Sequence, residues 1–367
     1  MDLDRVNTPA LLIDLDIMEA NIRKLEEYLR GKKCGYRPHA KAHKSPFIAH
    51  KQIRAGAGGI TCQTLDEAEV MGYSGIPDIL LTHMIVTPDK IRRLVTLAKH
   101  TKVMVTVDSA ENVKALASIA SQNGVDLGVL VEIDVGQKRT GVPPLKPALE
   151  LAKTVQQHRG VTFRGIMGYE GHLQCSIPDF EERKRKCLEA LAPLTETRDL
   201  LLDAGLPVEV VSSGGTGTYN ITCDVPGVTE IQPGSYVIMD GRYHLIQTCG
   251  SDFGCALSVL ATVVSKPNST KAIVDMGWKA CSIEYQIFGW QGMPQTKSLS
   301  GVEYWVGGDE HGVLTIKDSG PKLNVGDKIE FTPSHCDTTV NLHDKFYGMR
   351  NGEVELICDI PARHRVR

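Results

Sequence analysis

"KVMVTVDSAENVKALASIASQNGVDLGVLVEIDV", residues 102–135, contains the pattern that decides the fold. Residues 102–107 and 127–135 are apolar runs rich in valine, which is typical of buried strands. Residues 108–124 begin with Asp and Ser and end at Gly, as an amphipathic helix does. A strand, a helix and a second strand in this order predict two parallel strands joined by a helical crossover.

The same unit recurs from about residue 35 to residue 240. Its eight strand-like runs are GYRPH, GGITCQ, ILLTH, KVMVTV, LGVLVEIDV, FRGIMGYEG, VEVVSSG and YVIM. Eight strands with helices between them predict an α/β fold, specifically a TIM-like (β/α)8 barrel. In such barrels the residues that follow each strand gather at one mouth, where the chemistry takes place. We therefore look for functional side chains at the strand ends.

The remaining sequence predicts a second, mainly β domain. After about residue 245 the chain consists of β-rich segments broken by Gly, Pro and Asn turns. The apolar strand "TPALLIDL", residues 8–15, precedes the first helix and is expected to join this domain. The predicted boundaries are 16–244 for the barrel, and 1–15 plus 245–367 for the β domain.

Composition excludes several classes of function. The net charge of −3 over 367 residues gives no general attraction to nucleic acid or to an anionic membrane. The start of the chain lacks the features of a secretory signal, and no apolar run is long enough to span a bilayer. The ten cysteines form no C-x-x-C pair, so we expect reduced thiols in a cytoplasmic protein.

One short segment, "YRPHAKAHKSP" at residues 36–46, is unusually basic. If GYRPH is the first strand, Lys41 lies at its carboxyl end, at the barrel mouth. Neighbouring cations and desolvation both lower the pKa of an amine and leave it nucleophilic, able to form a Schiff base with an aldehyde. A solvated basic patch is the alternative. The cations near Lys41 in sequence are Arg37, His39, His43 and Lys44.

A predicted phosphate site favours the reactive lysine. "VVSSGGTGTY", residues 210–219, follows the seventh strand, and its glycines and hydroxyls are suited to an anion. A lysine after strand one and a phosphate loop after strand seven suit pyridoxal phosphate. Arg139 after strand five and Tyr169 after strand six would contact the phenolic oxygen and the ring nitrogen of that cofactor. A surface salt bridge and a core tyrosine are the alternatives for these two residues.

Several segments, in this order along the chain, resemble the fold-type III pyridoxal-phosphate enzymes. They are TPALLIDLD, RPHAKAHKS, GQKRTG, GYEGHLQ and SSGGTGTY. Within that group the sequence most resembles the D-threonine aldolase and eukaryotic-type D-serine dehydratase family, over nearly the whole chain. The resemblance implies an alanine-racemase-like barrel plus a β domain, and a homodimer with active sites near its interface.

The resemblance also assigns roles to residues. It makes Lys41 the Schiff-base residue, and the predicted catalytic residues are Lys41, His172 and Arg139. The predicted cofactor contacts are Lys41, Gln63, Arg139, Tyr169, Ser213, Gly215, Thr216 and Gly217.

A metal pair is predicted in "TPSHCDTTVNLHD", residues 332–344, which follows the strand-like KIEF. If the chain stays extended there, His335 and Asp337 project to one face and Cys336 points away. The resemblance implies the same pair. In the family pattern, dehydratases have His-x-Cys with zinc, whereas the aldolase type has His-Cys-Asp, as this sequence does. With a carboxylate in place of a thiolate, Mn²⁺ or Mg²⁺ is expected, and Zn²⁺ or Co²⁺ are alternatives.

Together these features predict a metal-dependent enzyme that cleaves D-β-hydroxy-α-amino acids to glycine and an aldehyde by a retro-aldol reaction. The β-hydroxyl would lose its proton to His172 or to a water molecule at the metal. The same site would also suit a dehydratase acting on D-serine or D-threo-3-hydroxyaspartate, or a 3-hydroxy-D-aspartate aldolase. A racemase would need a lysine and a tyrosine as opposed bases, and the metal pair would then be idle.

Two further classes fit the sequence less well. A cofactor-carrier protein has little use for a second domain. A metal-dependent hydrolase needs several His and Asp ligands at strand ends, and His83 alone is a thin basis for one.

Overall fold

The computed structural model describes residues 2–285 and 291–367, and the chain forms two compact units. We call them the barrel unit and the sheet unit. The barrel unit comprises Leu25–Lys41, Pro46–Gly234 and Arg365–Arg367. The sheet unit comprises Met1–Lys24, Ala42–Ser45 and Ser235–His364.

Strand β1 (Ala10–Asp14) and helix α1 (Leu15–Leu29) precede the barrel strands in the sequence. The barrel unit is built on a parallel sheet of eight strands. The strands are β2 (Gly35–Tyr36), β3 (Ile60–Cys62), β4 (Asp78–Leu81), β5 (Lys102–Val107), β6 (Leu127–Glu132), β7 (Val161–Met167), β8 (Val210–Ser213) and β9 (Glu230–Ile231). Their order is β2-β9-β8-β7-β6-β5-β4-β3. A parallel bridge between His39 and Thr61 joins the two ends of this order and closes the sheet. The predicted α/β barrel is confirmed.

Helices follow most of the strands. They are α2 (Pro46–Arg54), α3 (Leu65–Tyr73), α4 (Pro88–Leu97), α5 (Ala110–Gln122), α6 (Lys146–Gln156), α7 (Phe180–Asp203) and α8 (Tyr219–Thr222). The side chain of Ser109 accepts a hydrogen bond from the N–H of Asn112 and so begins α5. Thr64 caps α3 in the same way. Capping residues of this kind predicted the helix over residues 108–124.

An apolar layer fills the barrel below its mouth. Leu80, Met104, Leu130 and Met167, from the four adjacent strands β4 to β7, pack against one another. Because side chains alternate along a strand, Glu132 lies on the same face as Leu130, one layer nearer the carboxyl ends. Polar side chains near the mouth therefore rest on an apolar floor.

The eighth strand was predicted at the wrong place. The run YVIM, residues 236–239, is not a strand, because Ser235–Val237 forms a turn of 3-10 helix in the sheet unit. The eighth strand of the barrel is β9, which is two residues long. A short buried apolar run has no period that distinguishes a strand from another buried segment.

The sheet unit contains a mostly antiparallel sheet of nine strands, which confirms the predicted β character. β1 pairs antiparallel with β10 and parallel with β18, and the other pairs among its described strands are antiparallel. The strands after the barrel are β10 (Leu257–Asn268), β11 (Lys271–Val274), β12 (Glu284–Tyr285), β13 (Gln291–Gly292), β14 (Gln295–Thr296), β15 (Val302–Val306), β16 (Gly312–Ile316), β17 (Lys328–Thr332), β18 (Lys345–Arg350) and β19 (Glu353–Asp359). β12 and β13 form a separate hairpin. The helices are α9 (Gly241–His244), α10 (Cys249–Asp252) and α11 (Cys336–Val340).

Two properties concern the chain as a whole. Within the described ranges, every helix is too short or too polar to cross a lipid bilayer. All ten cysteines are free thiols.

Candidate active site

Lys41 lies just beyond the carboxyl end of β2, in the single 3-10 turn Ala40–Ala42. Its backbone N–H donates to Nδ1 of His39 at 3.4 Å. His39 is itself fixed by the bridge to Thr61 that closes the barrel. The backbone of Lys41, a partly exposed residue, is therefore fixed just beyond the strand end where the sequence predicts it.

Arg37, one of the cations near Lys41 in sequence, is paired with two carboxylates. The guanidinium is buried, with Nε 3.2 Å from Oε1 of Glu230 and a terminal nitrogen 2.5 Å from Oδ1 of Asp78. These carboxylates belong to the first residues of β9 and β4, at the end of the barrel opposite the mouth. The charge of Arg37 is thus compensated by Asp78 and Glu230. His43 and Lys44 belong to the sheet unit.

The two predicted ring contacts lie together. Arg139 is in the loop after β6 and Tyr169 is two residues beyond β7, and these strands are neighbours. Cζ of Arg139 lies 5.8 Å from the centroid of the Tyr169 ring, within cation–π range. In the loop, Oδ1 of Asp134 accepts hydrogen bonds from the N–H groups of Gly136 and Lys138 at 2.9 and 3.0 Å. This turn holds the exposed guanidinium beside the tyrosine.

Glu132, the last residue of β6, is a site residue that sequence reasoning missed. Its carboxyl is 4% exposed, and Oγ1 of Thr140 donates to Oε1 at 2.5 Å. Burial raises the pKa of this carboxyl; Thr140 and the Arg139 guanidinium oppose the rise, and Asp108 adds to it. The signal was an acidic residue at the end of an otherwise apolar strand. Glu132 contributes to the electrostatics around Arg139.

The side chains of His172 and Gln63 differ in their hydrogen bonds. His172 lies in the 3-10 helix Gly171–Leu173, and its Nδ1 is buried without a hydrogen-bond partner among the described residues. Gln63 follows β3, and its Nε2 donates to the carbonyl oxygen of Thr82 at 3.1 Å. A buried polar atom without a partner costs stability, so Nδ1 of His172 is suited to a ligand or a substrate proton.

The glycine-rich loop, residues 213–218, begins at the end of β8, which is the seventh strand of the barrel, as predicted. All of its residues are buried. Gly214 has φ of 73°, in the left-handed region that favours glycine. The predicted phosphate contacts, Ser213, Gly215, Thr216 and Gly217, all lie on this loop.

Several donors of the loop are satisfied within the barrel unit, which the sequence did not indicate. Oγ of Ser213 donates to Oε2 of Glu170 at 2.9 Å, and the N–H of Gly214 donates to the same oxygen at 3.2 Å. The N–H of Gly217 donates to Oε1 of Gln174 at 2.7 Å. Glu170 and Gln174 belong to the segment GYEGHLQ, in which roles are predicted only for Tyr169 and His172.

The predicted metal residues lie in the sheet unit, in a different conformation from the one expected. The chain is not extended after His335: Cys336 and Asp337 begin helix α11, and His335 is its N-cap residue. The strand that contains KIEF ends at Thr332, and the chain turns at Pro333. The prediction that His335 and Asp337 project to one face assumed that the strand continued. His335 and Asp337 still approach each other, with Nε2 and Oδ2 3.9 Å apart.

Asp240 orients the histidine, and sequence reasoning missed it. Its Oδ2 lies 3.0 Å from Nδ1 of His335 and accepts a hydrogen bond from the N–H of Cys336 at 2.9 Å. The Asp240 side chain is fully buried. An imidazole that donates from Nδ1 to a carboxylate presents Nε2 as a metal ligand. The donor set therefore fits a divalent ion held between Nε2 of His335 and the Asp337 carboxylate.

Cys336 does not point away from this cluster, so that expectation is wrong. Its Sγ lies 3.2 Å from Oδ1 of Asp337, and one ligand atom each from Asp240, His335 and Cys336 lie within 4.8 Å of one another. Burial, and then the negative charges of Asp240 and Asp337, raise the pKa of the thiol well above its usual value. The cluster therefore places a thiol next to the predicted pair of histidine and carboxylate.

The chain is similar to proteins of known family over most of its length. Residues 13–241 match the family described as alanine racemase, N-terminal domain, and residues 256–349 match the family described as putative serine dehydratase domain. A 3-hydroxy-D-aspartate aldolase of Paracoccus denitrificans (strain Pd 1222) is 38% identical over 371 residues, covering 99% of this chain and 94% of that protein.

A solved structure shows the same fold over the full length. The crystal structure of D-threonine aldolase from Filomicrobium marinum superposes with a TM-score of 0.95 at 37% identity, covering 100% of this chain and 98% of that one. A D-threo-3-hydroxyaspartate dehydratase of Delftia sp. (strain HT23) is more distant, at 31% identity over 356 residues, 91% of this chain and 92% of that protein. The chain therefore belongs to the alanine racemase N-terminal domain family of fold-type III pyridoxal-phosphate enzymes, and it is a lyase related to aldolases and, more distantly, dehydratases.

Proposed function

We propose that this protein is an aldolase of the D-threonine aldolase type that cleaves D-β-hydroxy-α-amino acids to glycine and an aldehyde, using pyridoxal 5'-phosphate and a divalent metal. The observation that carries the proposal is the pair His335–Asp337. In the family pattern that the sequence resembles, dehydratases have a cysteine where this chain has Asp337. The 3.9 Å between Nε2 and Oδ2 can be spanned by two metal–ligand bonds of about 2.1 Å each.

The residues at the barrel mouth fit pyridoxal phosphate. The Lys41 amine would bind its aldehyde, and the glycine-rich loop would bind its phosphate. The exposed guanidinium of Arg139 suits the phenolic oxygen, and the Tyr169 hydroxyl suits the ring nitrogen. When bound, this cofactor supplies a ring that accepts the electrons of the bond broken at the α-carbon. The remaining proposed contacts are Gln63, Ser213, Gly215, Thr216 and Gly217.

The proposed metal residues and base have separate tasks. His335 and Asp337 would hold Mn²⁺ or Mg²⁺, with Zn²⁺ or Co²⁺ as alternatives, because imidazole and carboxylate suit all four ions. A bound ion would lower the pKa of the substrate's β-hydroxyl. His172, or a water molecule at the metal, would accept the hydroxyl proton.

The substrate is proposed as a class. The relatives named above include a D-threonine aldolase and a 3-hydroxy-D-aspartate aldolase, which differ in the group on the β-carbon. Both D-threonine and 3-hydroxy-D-aspartate are therefore candidates. Dehydration of D-serine or D-threo-3-hydroxyaspartate by the same residues is the competing function.

Product analysis tests the proposal. The purified protein, loaded with pyridoxal phosphate, is incubated with D-threonine, 3-hydroxy-D-aspartate and D-serine, with Mn²⁺ or with a chelator. We expect glycine and an aldehyde in the presence of the metal. A keto acid and ammonia would identify a dehydratase, and cleavage or racemisation at full rate with chelator would contradict the role of the metal pair.

Matched variants connect that result to the metal pair. His335→Ala and Asp337→Ala should lose cleavage by about a hundredfold or more, since a metal supplies several kcal/mol of transition-state stabilisation, and should retain the absorption of bound cofactor. The control is Asp318→Asn, an exposed acidic residue of the sheet unit. Equal loss in the control would attribute the effect to stability.

Two further properties belong to the proposal. We propose a homodimer, on the resemblance of the sequence to the family. We propose that the protein works in the cytoplasm, where thiols stay reduced, because its ten cysteines are all free.

A further inference from the structure

We propose that Glu170 and Gln174 form a clamp that fixes the glycine-rich loop in the shape that receives the cofactor's phosphate. They would be positioning residues, acting through the loop and not touching the reacting atoms. This inference rests on the proposed binding of pyridoxal phosphate, and it assigns a task to two residues of the GYEGHLQ segment besides Tyr169 and His172.

Glu170 is fully buried, and both of its carboxylate oxygens accept hydrogen bonds from residues at and after β8. Oε2 accepts from the N–H of Gly214 and lies 2.9 Å from Oγ of Ser213, whose single hydrogen also has the carbonyl oxygen of Gly168 within reach at 2.5 Å. Oε1 accepts from Oγ1 of Thr218 at 2.6 Å and from Oγ1 of Thr222 at 2.8 Å. An ionised carboxylate only accepts hydrogen bonds, and it suits a site lined by donor groups. Hydrogen bonds to such a group are stronger than those to a neutral one.

Gln174 completes the clamp from the next turn of the same segment. Its side chain is 1% exposed, its Oε1 accepts from the N–H of Gly217, and its Nε2 donates to Oγ1 of Thr218 at 2.8 Å. The loop packs directly on its backbone: a Cβ atom on Gly217 would lie 2.1 Å from the Gln174 carbonyl oxygen. The glycine at 217 is therefore required by this approach.

The hydrogen bonds form a directed relay. The N–H of Gly215 donates to Oγ1 of Thr218 at 3.2 Å, and that hydroxyl donates to Glu170. A glutamine at 170 would present one amide NH₂ group, a donor, to a site where every neighbour donates. The donors at the substituted oxygen would then lose their acceptor in Glu170, so glutamate is specifically suited to this position.

A buried cation supports the same loop. Arg183 is fully buried, and its Nε donates to the carbonyl oxygen of Gly217 at 2.9 Å. One terminal nitrogen donates to the carbonyl oxygens of Ile177 and Pro178 at 2.8 and 2.9 Å. Glu170 thus accepts hydrogen bonds from donors of the loop, and Arg183 donates one to the loop's Gly217 carbonyl oxygen. A loop fixed before binding loses less conformational entropy when it receives a ligand.

The test compares pyridoxal phosphate with pyridoxal, which has the aldehyde and the ring but no phosphate. Dissociation constants are measured by absorbance for the wild-type protein, Glu170→Gln and the control Glu189→Gln, an exposed glutamate on α7. We expect Glu170→Gln to weaken pyridoxal phosphate at least about tenfold. Pyridoxal should change by less than about twofold, and the control should match wild type for both.

Each result decides between specific conclusions. Unchanged affinity of Glu170→Gln for pyridoxal phosphate would overturn the clamp while leaving the proposed function in place. Equal loss for both ligands would also overturn it, because the residue would then support the unit in general. If wild-type protein binds neither ligand, the proposed function itself fails and the clamp with it.

A second pair of variants covers the case in which Glu170→Gln does not fold. Thr218→Val removes the hydroxyl that links Gly215, Gln174 and Glu170 but keeps the size of the side chain, whereas Thr218→Ser keeps the hydroxyl. We expect the preference for pyridoxal phosphate over pyridoxal to fall about tenfold in the valine variant and to persist in the serine variant. The same preference in both variants would overturn the clamp.

Discussion

Asp240 is the single residue on which the proposed metal site most depends. It accepts hydrogen bonds from the N–H groups of Cys336 and Tyr243, and it holds Nδ1 of His335. No local spacing in the sequence connects residue 240 with residue 335, since 95 positions separate them. The ligand pair was predictable from a short motif, whereas the carboxylate that orients it becomes visible only when the chain is folded.

Replacing Asp240 by Asn should weaken metal binding about ten- to a hundredfold, because the negative charge beside the imidazole is lost and one of the two accepting oxygens becomes an NH₂ donor. The measurement is a Mn²⁺ titration of the cofactor-loaded protein by calorimetry. The control is Asp318→Asn, which should bind the ion as wild type does. An unchanged affinity in the Asp240 variant would mean that His335 needs no such support.

At the scale of elements, prediction succeeded where an element is long enough to show a period. The capped helices α3 and α5 and the strands β5 and β6 follow from their patterns of apolar and capping residues. It failed for short elements: YVIM is not a strand, and the residues after His335 are helical. In these segments tertiary packing decides the conformation, because a run of four or five residues has no reliable period.

Close packing of the glycine-rich loop gives a prediction at this scale. Gly217→Ala should lower the free energy of unfolding by about 1–3 kcal/mol, because the added methyl group meets the backbone of Gln174. The control is Gly58→Ala in the same unit, where the nearest atom to a Cβ would be 3.9 Å away. The control should change by less than about 0.5 kcal/mol. Urea denaturation of both variants checks the difference; equal effects would contradict the packing argument.

At the scale of the whole molecule, the α/β barrel and the additional β-rich unit were predictable, and most long-range partners were not. Glu170 meets residues 43 to 52 positions later in the chain. Arg37 similarly meets Glu230, 193 positions away, and this contact cancels the charge that the sequence assigned to the environment of Lys41. Strand periods indicate which elements form, but they do not indicate which buried polar groups pair.

Burial of thiols throughout the molecule predicts low reactivity. Burial raises the pKa of Cys34, Cys255 and Cys281 from 9.0 to about 12, and that of Cys223 to about 11. Since the thiolate is the reactive form, a raised pKa lowers its population at a given pH. We expect these four to resist iodoacetamide at pH 8 in the folded protein and to react in guanidinium chloride. Peptide mass spectrometry checks this; equal labelling rates in both conditions would contradict the burial.

The central claim is that the amine of Lys41 binds the aldehyde of pyridoxal phosphate. The most direct measurement is borohydride reduction of the cofactor-loaded protein, followed by peptide mapping with mass spectrometry. We expect one pyridoxyl group, on Lys41, and none in a Lys41→Ala variant. A label on another lysine, or no label on protein saturated with the cofactor, would contradict the account.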